Sequence, residues 1–178
     1  NFQFGSMGGF HTLEEIYQNF DQMKIQFPLY VKNADTIGYS IEKRPILSYC
    51  FGNNSDTTKP SLLITALHHS REPASLSVVL YFLWTLLEMA DAGNEEAIYL
   101  LQNRSLRVIP IVNPDGYYYN QVTYPNGGGM WRKNRKFISD NVYGVDINRN
   151  YGPYDFWNAS NNGSSINPTQ ETYRGSEP

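Results

Sequence analysis

Apolar residues recur at helical spacing in two parts of the chain. Ile16, Phe20, Met23 and Phe27 fall three or four apart, directly behind Thr12-Leu-Glu-Glu15. Threonine followed three residues later by glutamate is a capping-box signature, so the pattern predicts a first helix that Pro28 stops. Leu76, Val79, Leu80, Leu83 and Leu87 form a second stripe behind Pro73, whose fixed φ suits a first helical turn. That helix is expected to run to about Ala90, with Gly93 as its stop. A shorter helix is expected over 95–103. Strand-length apolar runs occupy 36–42, 45–51, 62–67 and 106–112. The run at 62–67 reads as a buried central strand. Pro110 inside the last run argues for an irregular or edge position, because proline cannot donate to a ladder. Residues 52–60 read as a polar turn. Strands alternating with helices through residue 103 predict an α/β fold, with a mixed, mostly parallel central sheet flanked by helices. No repeat or linker divides the chain, which is expected to form part of one domain.

Composition narrows the class. The chain has 178 residues, 40% of them apolar, enough for one domain with a real core. No run looks long enough to span a bilayer, and no membrane partner is expected. Fourteen basic against 17 acidic residues give a net charge of −3 with both signs scattered, which excludes a nucleic-acid footprint. Cys50 is the single cysteine, so no internal disulfide forms, and its apolar surroundings mark a buried thiol. The first residues show no signal-peptide pattern, and 1–10 read as a processed or artificial end. Fourteen tyrosines and many asparagines suit an exported protein, secreted or periplasmic. Tyr173-Arg-Gly-Ser-Glu-Pro178 has neither a helix stop nor a strand behind it, as an interrupted chain would.

Candidate chemistry clusters where the run at 62–67 ends, in His68-His69-Ser70-Arg71-Glu72-Pro73. A strand that delivers His69 and Glu72 into the loop before a helix puts them at the carboxyl end of the sheet, where open α/β sheets bind ligands. An imidazole and a carboxylate are ligand types that suit Zn²⁺. His68 is expected to be packed or hydrogen-bonded rather than a ligand, because its neighbour points the other way along a strand. From residue 117 onward the composition shifts to Tyr, Asn and Gly with little periodicity, a tract of the kind that carries function. Asn113-Pro-Asp-Gly116 reads as an ordinary sharp turn. Trp131-Arg-Lys-Asn-Arg-Lys136 reads, taken alone, as a solvated basic loop. Val142-Tyr-Gly-Val-Asp-Ile-Asn-Arg-Asn150 reads as a strand-like piece ending in an acid, an amide and a guanidinium, the last able to grip a carboxylate bidentately.

Taken together and in order, His69-Ser-Arg-Glu72, Asn113-Pro-Asp-Gly116, Met130-Trp-Arg-Lys133, Gly144-Val-Asp-Ile-Asn-Arg-Asn150 and Tyr173-Arg-Gly175 resemble the zinc metallocarboxypeptidases of the carboxypeptidase A/B type. The resemblance runs from about Thr12 to the end. It implies one Zn²⁺ ion, with His69 and Glu72 as its first two ligands. It implies that Arg132 polarises the scissile carbonyl and stabilises the oxyanion, and that Asn148 and Arg149 hold the substrate's terminal carboxylate. Arg71 matches a subsidiary substrate contact, and Asp146 an acid that orients the first histidine. The substrates it implies are peptide or protein C-termini. In the family a third histidine ligand, a general-base glutamate and a substrate-covering tyrosine lie on later segments. The expectation is therefore that residues 1–178 are the amino-terminal portion of a single catalytic domain, incomplete on its C-terminal side and inactive alone. A non-catalytic module that binds peptide C-termini, or a related zinc amidase or deacylase, remains an alternative.

Overall fold

The computed structural model describes residues 1–52, 59–161 and 163–178, so most of the turn expected over 52–60 lies outside it. The first helix, α1 (Leu13–Gln26), begins in the expected way: the Thr12 hydroxyl accepts from the Glu15 N–H while the Glu15 carboxylate accepts from the Thr12 N–H. Strands β1 (Asp35–Tyr39), β2 (Pro45–Phe51) and β3 (Ser61–Thr65) follow, then α2 (Ala74–Asp91), α3 (Glu95–Asn103) and β4 (Ser105–Ile109). The second half holds α4 (Pro114–Thr123), a small hairpin of β5 (Phe137–Ser139) and β6 (Val142–Tyr143), one 3₁₀ turn (Ile147–Arg149) and α5 (Tyr154–Asn158).

The four-stranded sheet has the order β1-β2-β4-β3. It is mixed, as expected, but its balance differs from the expectation. β1 and β2 form an antiparallel hairpin, β2 pairs antiparallel with β4, and the parallel pairing is that of β3 with β4. The hairpin explains this: β1 and β2 are joined by a short turn, with Lys43 at φ 66°, and such a connection cannot join parallel neighbours. β4 is central rather than at an edge, because it ends at Ile109 and Pro110 lies just outside the ladder. β3 in turn occupies an edge of the described sheet, and Leu62 and Leu63 are 56% and 62% exposed where a buried strand was expected. Burial of a strand depends on a neighbour that its own sequence does not encode.

Helices α1 and α2 supply most of the core. Ile16, Phe20, Met23, Leu76, Leu80, Leu83, Trp84 and Leu87 are fully buried. Phe20 stacks on Tyr49 of β2 at 4.1 Å between ring centroids, and the Trp84 indole N–H donates to Asn19 at 2.9 Å. α2 is long and apolar enough to cross a membrane, contrary to the sequence expectation, yet its stripe of buried residues packs on this core. Cys50 is a buried free thiol, as expected. Residues 5–10 are not loose: Gly5 bridges Gly9, Met7 bridges Phe10, and Met7 is buried.

Leu83→Ala removes a fully buried α2 side chain from the core and is expected to cost about 2–5 kcal/mol. The solvent-facing Val78→Ala is expected to change stability by less than about 0.5 kcal/mol. Urea denaturation checks both; a loss under about 1 kcal/mol for Leu83→Ala contradicts the assignment of the core.

Candidate metal centre

The chain leaves β3 at the carboxyl end of the sheet and stays paired for two more residues, with the Ala66 N–H donating to Ile109 and the Val112 N–H to Ala66. Leu67 then takes a left-handed φ of 54°, which turns the chain toward the pair of histidines. A tight turn follows, the Glu72 N–H donating to the His69 carbonyl at 3.1 Å. The turn folds the Glu72 carboxylate back over the imidazole, with Oε1 and Oε2 at 3.0 and 2.9 Å from His69 Nδ1. The other ring nitrogen, Nε2, lies 3.1 Å from Asp146 Oδ1.

Asp146 is the buried anion of the site. It is 0% exposed. Its Oδ2 accepts from Arg132 Nε and Nη2 at 3.1 and 2.9 Å, and its Oδ1 also accepts the Asn148 N–H at 3.0 Å. Arg132 Nη1 then stands 3.7 Å from Glu72 Oε1, so the guanidinium lies between the two carboxylates. The segment carrying Asp146 is held by backbone bonds, Asp146 N–H to the Tyr173 carbonyl and Asn134 N–H to the Val145 carbonyl. Gly144 makes that approach possible: at φ 90° a Cβ there would sit 2.5 Å from the Asn134 carbonyl.

His69 therefore has a carboxylate at each nitrogen, and a neutral imidazole can donate to only one. When Nε2 donates to Asp146, the Nδ1 lone pair faces Glu72, and a cation between them would satisfy both. His69 and Glu72 thus fit two positions of a zinc site in donor type and in direction, with Asp146 as the partner that fixes the ring. Among the described residues, no cluster of three or more His, Cys, Asp or Glu side chains is arranged to hold a metal. The pair is a partial donor set, because catalytic zinc takes three protein ligands. His11 is buried apart from the His69–Glu72 pair's hydrogen bonds, its peptide carbonyl accepting from the Tyr117 hydroxyl.

The remaining expected site residues lie around this cluster rather than in it. Asn148 and Arg149 follow Asp146 on the 3₁₀ turn, where Arg149 Nε donates to the Gly163 carbonyl and Nη1 to the Asn148 carbonyl. Arg71 points away and pairs bidentately with Glu171 at 3.0 and 2.8 Å. His68 bonds the Tyr151 hydroxyl at 2.7 Å, in keeping with a hydrogen-bonded rather than ligating role. A cavity of about 360 Å³ opens beside Arg71 and Glu72, walled by Phe10, Tyr117 and Met130.

Two sequence readings are overturned. The basic stretch at 131–136 is not a solvated loop. Lys133 is 8% exposed and donates to the Pro168 and Gln170 carbonyls, and burial pulls its pKa below the usual lysine value. Arg135 lies over the rings of Tyr119, Trp131 and Tyr143 at 3.9, 4.5 and 4.8 Å. Asn113-Pro-Asp-Gly116 is more than a turn, since it opens α4, with Asn113 capping the Gly116 N–H. Asn ahead of Pro and Asp was a readable helix start. What hid it was the glycine in its first turn and the absence of an apolar stripe behind it. Buried Asp115 then ties the β1–β2 hairpin to the site by accepting from the Ser40 hydroxyl, the Glu42 N–H and Arg44 at 2.6, 2.9 and 2.8 Å.

The described chain is thus a mixed α/β sheet with a histidine and a glutamate at its carboxyl end and a buried acid behind the histidine. The sequence profile of the zinc carboxypeptidases matches residues 16–178, and the chain belongs to that family. It is 36% identical to mouse carboxypeptidase A2 over 181 aligned residues, covering 100% of this chain and 39% of the mouse protein. It is 35% identical to metallocarboxypeptidase A of Trichophyton tonsurans over 143 residues, covering 79% of this chain and 32% of the fungal protein. Its fold superposes on thrombin activatable fibrinolysis inhibitor with a TM-score of 0.82 at 28% identity, covering 97% of this chain and 41% of that one. For the carboxypeptidase A of Helicoverpa armigera the values are 0.76 and 30%, covering 97% and 40%. The chain thus spans about two fifths or less of the length of these relatives.

Asp146→Ala leaves Arg132 without its buried partner and is expected to destabilise the fold by about 3–5 kcal/mol. Glu72→Gln, whose side chain is 54% exposed, is expected to change stability by less than about 1 kcal/mol. Equal losses for the two variants in chemical denaturation would contradict the placement of Asp146 as the anchor.

Proposed function

We propose that this chain is the amino-terminal portion of a zinc-dependent metallocarboxypeptidase domain, which hydrolyses the C-terminal peptide bond of peptides or proteins. The observation that carries this reading is the convergence of Glu72, Asp146 and Arg132 on one buried histidine. A zinc ion held by His69 and Glu72, with a third ligand from outside these residues, would lower the pKa of its water to about 7 and polarise the scissile carbonyl. Asp146 keeps the imidazole turned so that Nδ1 faces the metal position. Arg132 brings a cation beside Glu72, where the carbonyl oxygen gains negative charge as water adds, and donors in that role contribute about 3–4 kcal/mol. Hydrolysis puts the hydroxyl of water on the acyl carbon and a proton on the leaving amine.

Asn148 and Arg149 supply the selection for chain ends. They follow Asp146 directly, and a guanidinium there pairs with a terminal carboxylate, a group that an internal peptide bond lacks. Arg71 is a subsidiary contact for the substrate, which requires it to leave Glu171; their pair is partly solvent-exposed and therefore weak. The tyrosine- and asparagine-rich composition supports a location outside the cytoplasm, secreted or periplasmic.

Kinetics of the complete protein test the proposal. Arg149→Ala is expected to lower kcat/KM on a blocked dipeptide with a free C-terminus by about 10²-fold, or about 2.7 kcal/mol, and to leave the carboxyl-amidated analogue unaffected. Equal loss on both substrates contradicts the role of Arg149. Binding of free C-termini without hydrolysis would favour the non-catalytic module, and a preference for small acyl amino acids the amidase.

A further inference from the structure

We propose that Asn113 and Asn120 are positioning residues, which clamp the loop carrying His69 and Glu72 to the loop carrying Arg132; the catalytic part of this inference rests on the function proposed above. Both side chains are buried, at 1% and 4% exposure, and both project from the start or middle of α4 beneath the two loops. Asn120 Nδ2 donates to the Ser70 carbonyl at 3.1 Å and to the Trp131 carbonyl at 2.9 Å, while its Oδ1 accepts the Trp131 N–H at 3.0 Å. Asn113 Nδ2 shares its two hydrogens among the carbonyls of Lys133 at 3.0 Å and of His68 and Arg132 at 3.3 Å.

The loops also bind each other directly. Ser70 Oγ donates to the Trp131 carbonyl at 2.6 Å, and the Ser70 N–H donates to the Arg132 carbonyl at 3.2 Å. Each contact falls within two residues of His69, Glu72 or Arg132, so the register of the three is set by these amides. No other side chain of this size offers two donors and an acceptor together. Aspartate would set an anion against carbonyl oxygens, and leucine would leave those carbonyls buried without a partner. Two glycines admit the amides where any larger residue would collide with them. A Cβ at Gly116 would lie 2.7 Å from Asn113 Nδ2, and one at Gly129 2.6 Å from the Asn120 Cβ.

The clamp gives the amides no role as ligands or as substrate contacts. Their effect passes through the spacing of Arg132 from the His69–Glu72 pair, and displacement of a catalytic group by about 1 Å can lower a rate about 10²-fold.

Two readouts on the complete protein test the clamp. The first is hydrogen–deuterium exchange of the segments 68–72 and 131–133. Asn120→Ala is expected to raise exchange in both about tenfold while leaving α1 unchanged, and the milder Ser70→Ala to raise both in the same direction. Exchange that rises in one segment alone, or rises equally in α1, overturns the proposal. Failure of Asn120→Ala to fold leaves the smaller change Asn120→Ser to decide the matter by the same criterion. The second readout is a double-mutant cycle on a blocked dipeptide. Asn120→Ala is expected to lower kcat about 10²-fold with KM nearly unchanged, but to lower it less than about threefold further in an Arg132→Ala background. Losses that multiply overturn the positioning role. Coupled exchange in a protein that hydrolyses no C-terminus would sink the proposed function and leave the clamp standing.

Discussion

The site depends on one buried carboxylate. Asp146 has no solvent to stabilise its charge, so its oxygens must be satisfied by the protein, and they are, by His69, by Arg132 and by the Asn148 N–H. An anion in that position costs several kcal/mol unless it is paired and hydrogen-bonded. The pairing has a directional result. It turns the imidazole so that the opposite nitrogen faces Glu72, and it draws the guanidinium of Arg132 to the same side. A single desolvated charge thus orients His69 and holds Arg132 beside Glu72.

The scaffold serves that alignment. β3 brings His69 to the carboxyl end of the sheet, β4 brings Asn113, and the segment after β6 brings Asp146. The three lie 33 to 77 residues apart in sequence; His69 meets Asp146 side chain to side chain, while the loops around them are joined by further bonds. Most run from a buried amide, hydroxyl or N–H to a carbonyl. Backbone acceptors have fixed positions, so a loop tied through them has little freedom to drift. Gly116, Gly129 and Gly144 permit the close approaches that this requires.

Much of the fold was legible where local signals agree. α1 has a capping box and an apolar stripe, and α2 and α3 have long stripes or a clear start, so their positions came out within a residue or two. Strand positions were legible but their environments were not. Leu62 and Leu63 look like core residues until the sheet order places them at an edge, and Pro110 looks like an edge marker until β4 stops one residue before it. The site was legible in its histidine and glutamate, whose spacing at a strand end has chemical meaning, and in the ordered motifs around them. Its support was not. Lys133 and Arg135 read as solvated charge because nothing local reveals the carbonyls and rings that receive them. Asn113 and Asn120 were invisible for the same reason, since an asparagine in a turn and one on a tyrosine-rich stretch carry no mark of what they bind.

The family to which the chain belongs supplies the frame, and the proposed chemistry rests on the geometry of His69, Glu72, Asp146 and Arg132 within it. The most direct measurement is mass spectrometry of a defined peptide incubated with the complete protein, in the presence of zinc, after chelation and after zinc is restored. The expected result is loss of single residues from the free C-terminus, halted by the chelator and resumed with the metal. Cleavage inside the peptide, trimming that persists without metal, or a peptide left whole under every condition would contradict the account.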